Sequence, residues 1–582
     1  MTTDLLRRLW PYLRRYRGRL GGGMAILLVN TASLVLIPYI IDLAIDDMGH
    51  GITVAKLLKY CLLLIAAVSA RGILNYFQRL ILITVSRLIE FDLRNELLAR
   101  LETLSQGFFQ RFRTGDLMAR AVNDLSAVRN MVGPGIMYSA QAVVLFAYVI
   151  AILCHLDWRL TLIAFLPAPF VSLAVWWFGK RIHDRFERIQ SMFSDLAARV
   201  EENLAGLRLV RAYAREPIEE AKFDRLNQAY VERNMRLVVL TGAFDPLLQM
   251  LLGIAFVLVL WFGGRAVLEN RITLGGYAAF NLYMAQMAFP MIAMGYVINL
   301  VQRGAASFER LQELLRQTPD IADGPQTDHS ITSLRGEIEF RHLSFRYGDL
   351  QVLDDVSLHI PAGWTVALVG PTGSGKSTLV SLLPRLLEVP EGSLFVDGHP
   401  IRTIPLELLR RSIGWVPQET FLFSDSIRAN IAFGRPDASD EQIREAAAAA
   451  GLSRDIADFP DSYATRVGER GLTLSGGQKQ RTALARAVLR DAPILILDDA
   501  LASVDTITEE LILDNLERVA RDRTTILISH RISTVRNAAL IAVLDHGHII
   551  EQGTHAELIG RGGAYATLYE RQLLEEELAQ AD

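Results

Sequence analysis

The feature that most constrains this chain is a series of apolar windows, each about the 20 residues that a helix needs to cross a bilayer. Residues 21–41, 132–154, 160–179, 246–264 and 274–301 carry no charge. A sixth window, 57–82, contains Arg71 and Arg79, but its length and its neighbours place it with the others. We count six spans. A 582-residue chain is too long for one core, and a hydrophobic content of 51% agrees with membrane insertion. The formal charge of −4 gives no reason to expect a nucleic-acid partner.

The spacing of the spans carries further information. Short connections, "DLAIDDMGHGITVAK", "CHLDWR" and "RAVLENR", join spans 1–2, 3–4 and 5–6. Spans 2–3 and 4–5 are joined by charged segments of roughly 50 residues whose apolar positions recur every three or four residues. These read as helices that leave the bilayer, turn and return. Their Lys and Arg, with those of the N-terminus, belong on the cytoplasmic side, so both chain termini are expected there. Residues 1–20, basic and amphipathic with Trp10 and Tyr12, are expected to lie along the inner membrane surface. They lack the pattern of a cleaved signal peptide. Cys61 and Cys154 fall in apolar runs and are expected as buried thiols.

Membrane segments thus occupy 21–315. A linker rich in Pro, Asp, Gly and Ser follows at 316–335, then an α/β domain at 336–575 and an acidic tail at 576–582. The α/β reading rests on short β-type runs ("EIEFRHLSF", "TVALVG", "PILILDDA", "TTILISH", "ALIAVLD") alternating with helical ones, which implies a largely parallel sheet.

That domain carries a phosphate loop, "GPTGSGKST": Gly370, Pro371, Thr372, Gly373, Ser374, Gly375, Lys376, Ser377 and Thr378. It lies between a strand and a helix, as the motif requires. Glycines let backbone amides turn toward phosphate oxygens, and the helix start adds the positive end of a dipole. Lys376 is expected at the β/γ-phosphates of ATP and the Ser377 hydroxyl on Mg²⁺. "PILILDD" ends in Asp498, a carboxylate at a buried strand end that suits the same metal.

Between these lies "LSGGQ", residues Leu474, Ser475, Gly476, Gly477 and Gln478. With the phosphate loop before it and the aspartate strand after it, the chain resembles the ATP-binding-cassette (ABC) proteins. The remaining elements stand in the family's order. Tyr347 resembles the aromatic that stacks on adenine, and Gln418 the residue joining magnesium to the membrane half. "TRVGERG" at 465–471 resembles the exporter-type loop, Asp505 in "SVD" the segment that crosses to a second cassette, and His530 the γ-phosphate switch. Six spans fused ahead of one cassette resemble the multidrug-resistance-like half-transporters. The resemblance implies an all-α six-helix transmembrane domain with long cytoplasmic extensions, followed by an α/β phosphate-loop domain. It places turns that dock on cassettes at 113–129 and 207–223. It implies ATP and Mg²⁺ as ligands, the bilayer and a hydrophobic small molecule or lipid as partners, and a second half-transporter subunit. Six spans exclude a soluble cassette acting on DNA or ribosomes.

The sequence departs from the family at Asp499, where the resemblance calls for a glutamate that polarises the attacking water. Aspartate is one methylene shorter, so its carboxylate stops about 1–1.5 Å short, and a misplacement near 1 Å can cost on the order of 10²-fold in rate. With an intact signature beside a short carboxylate, an unequal dimer with one slow site is expected. A homodimer with two slow sites, and a cassette that gates or senses without moving cargo, are the alternatives. For cargo, Arg71, Asn75 and Asp245 are candidates because polar and ionisable groups at membrane depth carry function by default. Arg71 either pairs with Asp245 or an anionic head group, or faces a wet cavity while Asp245 caps the turn before Pro246.

Overall fold

The structure is a computed structural model that describes residues 2–468, 471, 474–504 and 506–581. It divides into two compact units: residues 1–99 with 115–316, and residues 100–114 with 317–582.

The first unit is helical. A short α1 (Thr2–Arg15) leads into α2 (Arg17–Gly49) and α3 (Val54–Thr103). The helix α4 (Gln106–Arg111) groups with the second unit. Back in the first unit, α5 (Thr114–Ala119), α6 (Leu125–Asn130) and α7 (Ile136–Ala164) are joined by π-turns at Arg120–Asp124 and Met131–Gly135. Then come α8 (Ala168–Ala205), α9 (Leu207–Ala212), α10 (Glu216–Leu258), α11 (Gly264–Leu268) and α12 (Leu274–Leu315). Among the described residues, four stretches are long and apolar enough to cross a membrane: Arg17–Gly49, Val54–Thr103, Thr114–Ala164 and Glu216–Leu268. The fourth expected span, 160–179, is not one helix. It breaks between α7 and α8, where Pro167 and Pro169 supply no N–H and fix φ.

Helices α2, α7 and α12 share a core of Val35, Leu145, Val149, Leu153, Phe280 and Tyr283. Pro38 inside α2 cannot donate to the Leu34 carbonyl. The Gln286 side chain of α12 donates to that oxygen at 3.3 Å, and the Tyr283 hydroxyl to the Val35 carbonyl at 2.8 Å. The N-terminal segment is tied down at α3 by Tyr12 to Glu96 (2.8 Å) and Tyr16 to Asp92 (2.8 Å). By contrast α8 and α10 pair mainly with each other, through Phe178–Phe244 and Phe193–Tyr230 ring contacts.

Several expectations shift. Cys61 and Cys154 are exposed, since an apolar run in a membrane helix turns as readily to lipid as to protein. Asp245 caps no turn, because α10 continues through it and Pro246. Of the segment 113–129, residues 115–129 group with the first unit, where Asp124 binds Arg310 and Ser307 of α12 and Arg120 binds Glu313. The preceding stretch 100–114 joins the cassette unit instead. There Phe108 is buried and stacks on Phe112 at 4.5 Å, and Ser105 donates to Asp320 at 3.1 Å.

The second unit is the expected α/β domain. Its main sheet has the order β10-β9-β3-β8-β7-β6, with β3 (Thr365–Val369), β6 (Ile413–Val416), β7 (Ile494–Asp498), β8 (Thr524–Ile528) and β9 (Leu540–Asp545) parallel and β10 (His548–Gly553) antiparallel at the edge. A second, antiparallel sheet contains β1 (Ile338–Tyr347), β2 (Leu350–Ile360), β4 (Leu394–Val396) and β5 (His399–Pro400). Alternation along the buried strands separates two cores: Val366, Leu368, Ile494 and Ile496 face one, and Ala367, Val369, Leu495 and Leu497 the other.

The expected linker has no regular secondary structure but is strapped to the domain. Asp323 accepts from the Leu406 amide, and Asp397 accepts from the amides of Arg335, Gly336 and Glu337. The expected acidic tail is the end of a helix, Ala564–Ala581.

Candidate nucleotide site

The site is built at the C-terminal ends of β3, β7 and β8, where a parallel sheet opens a crevice. The chain leaves β3 at Gly370 with φ +145°, and a Cβ there would sit 2.0 Å from the Leu544 carbonyl oxygen, so only glycine fits. Gly375, at φ +102°, opens the helix Lys376–Ser381 under the same restriction, with Leu353 2.7 Å from its notional Cβ.

Lys376 is buried, and its ammonium donates to the carbonyls of Gly370 (2.9 Å) and Pro371 (2.8 Å). Burial pushes its pKa down, against the pull of Asp498 and Asp499. The Ser377 hydroxyl donates to Asp498 Oδ1 at 3.0 Å. Burial raises the Asp498 pKa, the Ser377 hydrogen bond lowers it, and the neighbouring Asp499 raises it further.

A cleft of about 300 Å³ brings the expected residues together. Tyr347, Thr372, Gly373, Gly375, Lys376, Ser377, Thr378, Gln418, Asp498, Asp499 and His530 line it. Gly370, Pro371 and Ser374 shape the loop without lining the cleft. Val352 and Ile528 also line it, and sequence reasoning missed them because nothing distinguishes them from core aliphatics. A hydroxyl, a carboxylate and an amide oxygen on Ser377, Asp498 and Gln418 form an oxygen donor set of the kind that suits Mg²⁺.

Asp499 adopts φ +50°, a left-handed conformation that aspartate tolerates better than most residues. Its amide donates to the Ile528 carbonyl at 2.9 Å.

The signature lies outside this cleft. Ser475 caps the helix Gly476–Leu489 in a reciprocal box: its hydroxyl accepts from the Gln478 amide, and the Gln478 side chain accepts from the Ser475 amide. Leu474 is buried beneath. Asp455, unmarked by any motif, accepts from Gln478 Nε2 at 3.0 Å and from Arg481 through both oxygens. Asp505 and residues 469–470 of the exporter-type loop lie outside the described residues.

The three cargo candidates do not gather. Arg71 and Asn75 are half-buried on α3, Asp245 is exposed on α10, and no ion pair joins Arg71 to Asp245 among the described residues. A buried polar pair joins α2 to α3, where the Asn30 side-chain amide donates to Gln78 at 2.6 Å.

A helical membrane unit joined to a phosphate-loop α/β unit with a separate signature helix defines an ATP-driven membrane transporter. Residues 20–291 match the ABC transporter transmembrane region and residues 353–502 the ABC transporter domain. The chain is 37% identical over 575 residues to the probable multidrug resistance ABC transporter ATP-binding/permease protein YheI of Bacillus subtilis, covering 98% of each chain. It is 35% identical to the multidrug resistance-like ATP-binding protein MdlA of Escherichia coli, covering 98% of this chain and 97% of that one. It is 34% identical to an ATP-dependent lipid A-core flippase of Syntrophus aciditrophicus, covering 99% and 96%. The structure of a bacterial Atm1-family ABC exporter with ATP bound superposes with a TM-score of 0.79 at 29% identity, covering 96% and 98%. The chain belongs to the ABC transporter family and is an exporter of the multidrug or lipid type, in which ATP hydrolysis drives transport.

Proposed function

We propose that this chain is one half of an unequal pair that exports hydrophobic or amphipathic compounds, drugs or lipids, across the cytoplasmic membrane. Its own ATP site is the slow one. The observation that carries this reading is Asp499, which lines the cleft beside Lys376, Ser377 and Asp498 with a side chain one methylene short.

Within the cleft, Tyr347 stacks on adenine and the amides of 370–378 surround the phosphates. The Lys376 ammonium exchanges its loop carbonyls for β/γ-phosphate oxygens. His530 contacts the γ-phosphate, and Ser377, Asp498 and Gln418 hold Mg²⁺. The metal, when bound, neutralises charge on the transferring phosphoryl group. Asp499 aims the attacking water from too far away. The signature, Leu474–Gln478, completes the partner's site, since it does not line its own. Both chain ends lie in the cytoplasm.

A second subunit is supported by the α8–α10 pair. An apolar groove of about 660 Å³ runs between them, lined by Phe193, Leu196, Val200, Leu204 and Phe223, and α9 buries no residue. Such surface calls for a protein partner. Arg71 and Asn75 remain the cargo candidates on α3, with Asp245 on α10.

The test is nucleotide turnover by the purified chain, alone and with the second half-transporter from the same host. Asp499→Glu raises turnover at this chain's site, and Lys376→Ala weakens nucleotide binding there. Brisk hydrolysis by the isolated wild-type chain overturns the reading.

A further inference from the structure

One buried amide joins three functional stretches of the cassette. Gln480 lies in the first turns of the signature helix. Its Nε2 donates to the backbone carbonyl of Asp499 at 3.4 Å, and its Oε1 accepts from the backbone amide of Ser503 at 2.9 Å. Donor faces acceptor at both ends, so only one orientation of the amide satisfies the pair.

Each anchored group matters to the site. Asp499 holds a left-handed backbone, and its carbonyl also accepts from the Ala502 amide at 3.3 Å, so the turn 499–503 sets where the Asp499 carboxylate points. Ser503 in turn presses on the signature. A Cβ on Gly477 would lie 2.9 Å from the Ser503 carbonyl oxygen, and one on Gly476 would lie 3.4 Å from the Ser503 side chain. The signature start, Ser503 and the Asp499 peptide therefore form one contiguous packed group, with Gln480 at its centre.

We propose that Gln480 is a positioning residue that makes the aim of Asp499 depend on how this chain's signature is seated against nucleotide across the dimer. This rests on the paired-cassette reading above. When nucleotide presses on Ser475–Gly477, the helix start moves as a unit, and Gln480 carries the displacement to the Asp499 carbonyl and the Ser503 amide. Phosphoryl transfer depends on positioning, so a small rotation of the Asp499 peptide changes rate and leaves ATP affinity alone. The two sites are then linked through the rate of cleavage, where the coupling need not be reciprocal, and a substitution can break the link.

The experiment uses the full-length complex in nanodiscs and azido-ATP labelled at the α- or γ-phosphorus. After photo-cross-linking, α-label on this chain reads binding, and the decline of γ- relative to α-label over time reads cleavage. Gln480→Glu keeps the shape and the acceptor for Ser503 but sets an oxygen against the Asp499 carbonyl. Gln480→Met keeps length without either hydrogen bond. Both are expected to leave α-label within about twofold and to slow γ-label loss about tenfold, near the range assigned to misplacement of reacting groups. Cleavage within about twofold of wild type in both variants overturns the proposal, and so does a parallel loss of α-label, which marks a merely structural role. An isolated chain that cleaves as fast as the complex overturns the paired reading and the proposal with it. A partner-dependent rate that both variants leave untouched overturns the proposal alone.

Discussion

At the scale of single residues, the cleft separates holding a nucleotide from cutting it. Lys376 and Asp498 are buried and Ser377 half-buried; the loop carbonyls hold Lys376 and Ser377 is bonded to Asp498, whereas on the reading proposed above Asp499 is one bond short of the water it aims. Asp499→Glu should raise this site's turnover on the order of 10- to 10²-fold. Because its φ of +50° suits aspartate better than glutamate, the faster variant should also melt slightly lower. Single-turnover kinetics and a thermal melt on one preparation check both halves. A pH prediction follows from Asp498, whose folded pKa lies above its ordinary 3.8 because of burial. Raised in the folded state, this group contributes stability that is present below 3.8 and lost as pH rises through the folded value. Metal binding needs the ionised form, so Mg²⁺-dependent ATP affinity should fail on acidification at a higher pH than an ordinary aspartate would set. In Asp498→Asn that acid limb should vanish and Mg²⁺ dependence be weak at every pH. Titrating ATP affinity with and without Mg²⁺ reads this. The motif residues around the cleft were legible from sequence because each occupies a fixed offset from a strand end or loop. Gln480 and Asp455 were not, because their contacts reach 19 and 26 residues along the chain to partners that only the fold brings near.

At the scale of elements, hydrophobic runs located the long helices, but burial within the membrane unit did not follow from hydropathy. Lipid and protein both accept an apolar side chain, which is why Cys61 and Cys154 turned out exposed. Proline alone did not locate the helix breaks: the chain breaks at Pro167 inside an expected span, and α10 runs on through Pro246 where a turn was one of the expectations. The bend inside α7 is at Asp157 (φ −159°, ψ 106°), whose carboxylate accepts from the amides of Arg159 and Leu160 and pairs with Arg271 at 2.9 Å. In the cassette, β2 went unread although Val356, Leu358 and Ile360 alternate with polar residues as in a half-buried strand, and its pairing with β1 defines it. Small residues set how closely membrane helices approach. On α2, a Cβ at Gly23 would lie 2.6 Å from Leu82 Cδ2 and 2.9 Å from Leu82 Cγ on α3. Gly23→Ala should therefore destabilise by about 1–3 kcal/mol through overpacking, and Leu82→Ala by about 2–5 kcal/mol through the void it leaves. The double variant should cost clearly less than the sum, because each change relieves the other. Thermal unfolding in detergent of the four proteins measures the coupling, and strict additivity would show that α2 and α3 do not meet there.

At the scale of the whole molecule, the two units differ in how far they satisfy their own surfaces. The cassette encloses two apolar cores on the two faces of its main sheet. The membrane unit leaves α8 and α9 with large apolar side chains outward: Phe193 is 52% exposed and Leu204 66% on α8, and Leu209 is 64% exposed on α9. These residues lie on the charged extensions beyond the uncharged window 160–179, and on the paired reading proposed above the second subunit covers them. The Arg199–Glu219 pair joins α8 to α10 at this level, and Lys222, one turn along α10, pairs with the same Glu219. Leu204→Glu together with Leu209→Glu places two carboxylates where a partner's apolar surface would otherwise seat, at positions that bury nothing in the isolated chain. The variant should fold as the wild type does and bind ATP with unchanged affinity, because the cleft around Lys376 and Asp498 is built within one cassette. Its assembly should weaken by two orders of magnitude or more, on the order of the 1.4 kcal/mol per tenfold that converts each lost apolar contact into affinity. Native mass spectrometry of the nanodisc complex over a dilution series would show the pair dissociating at concentrations where the wild type remains whole. A variant complex as persistent as the wild type would mean that α8 and α10 face something other than the second half-transporter.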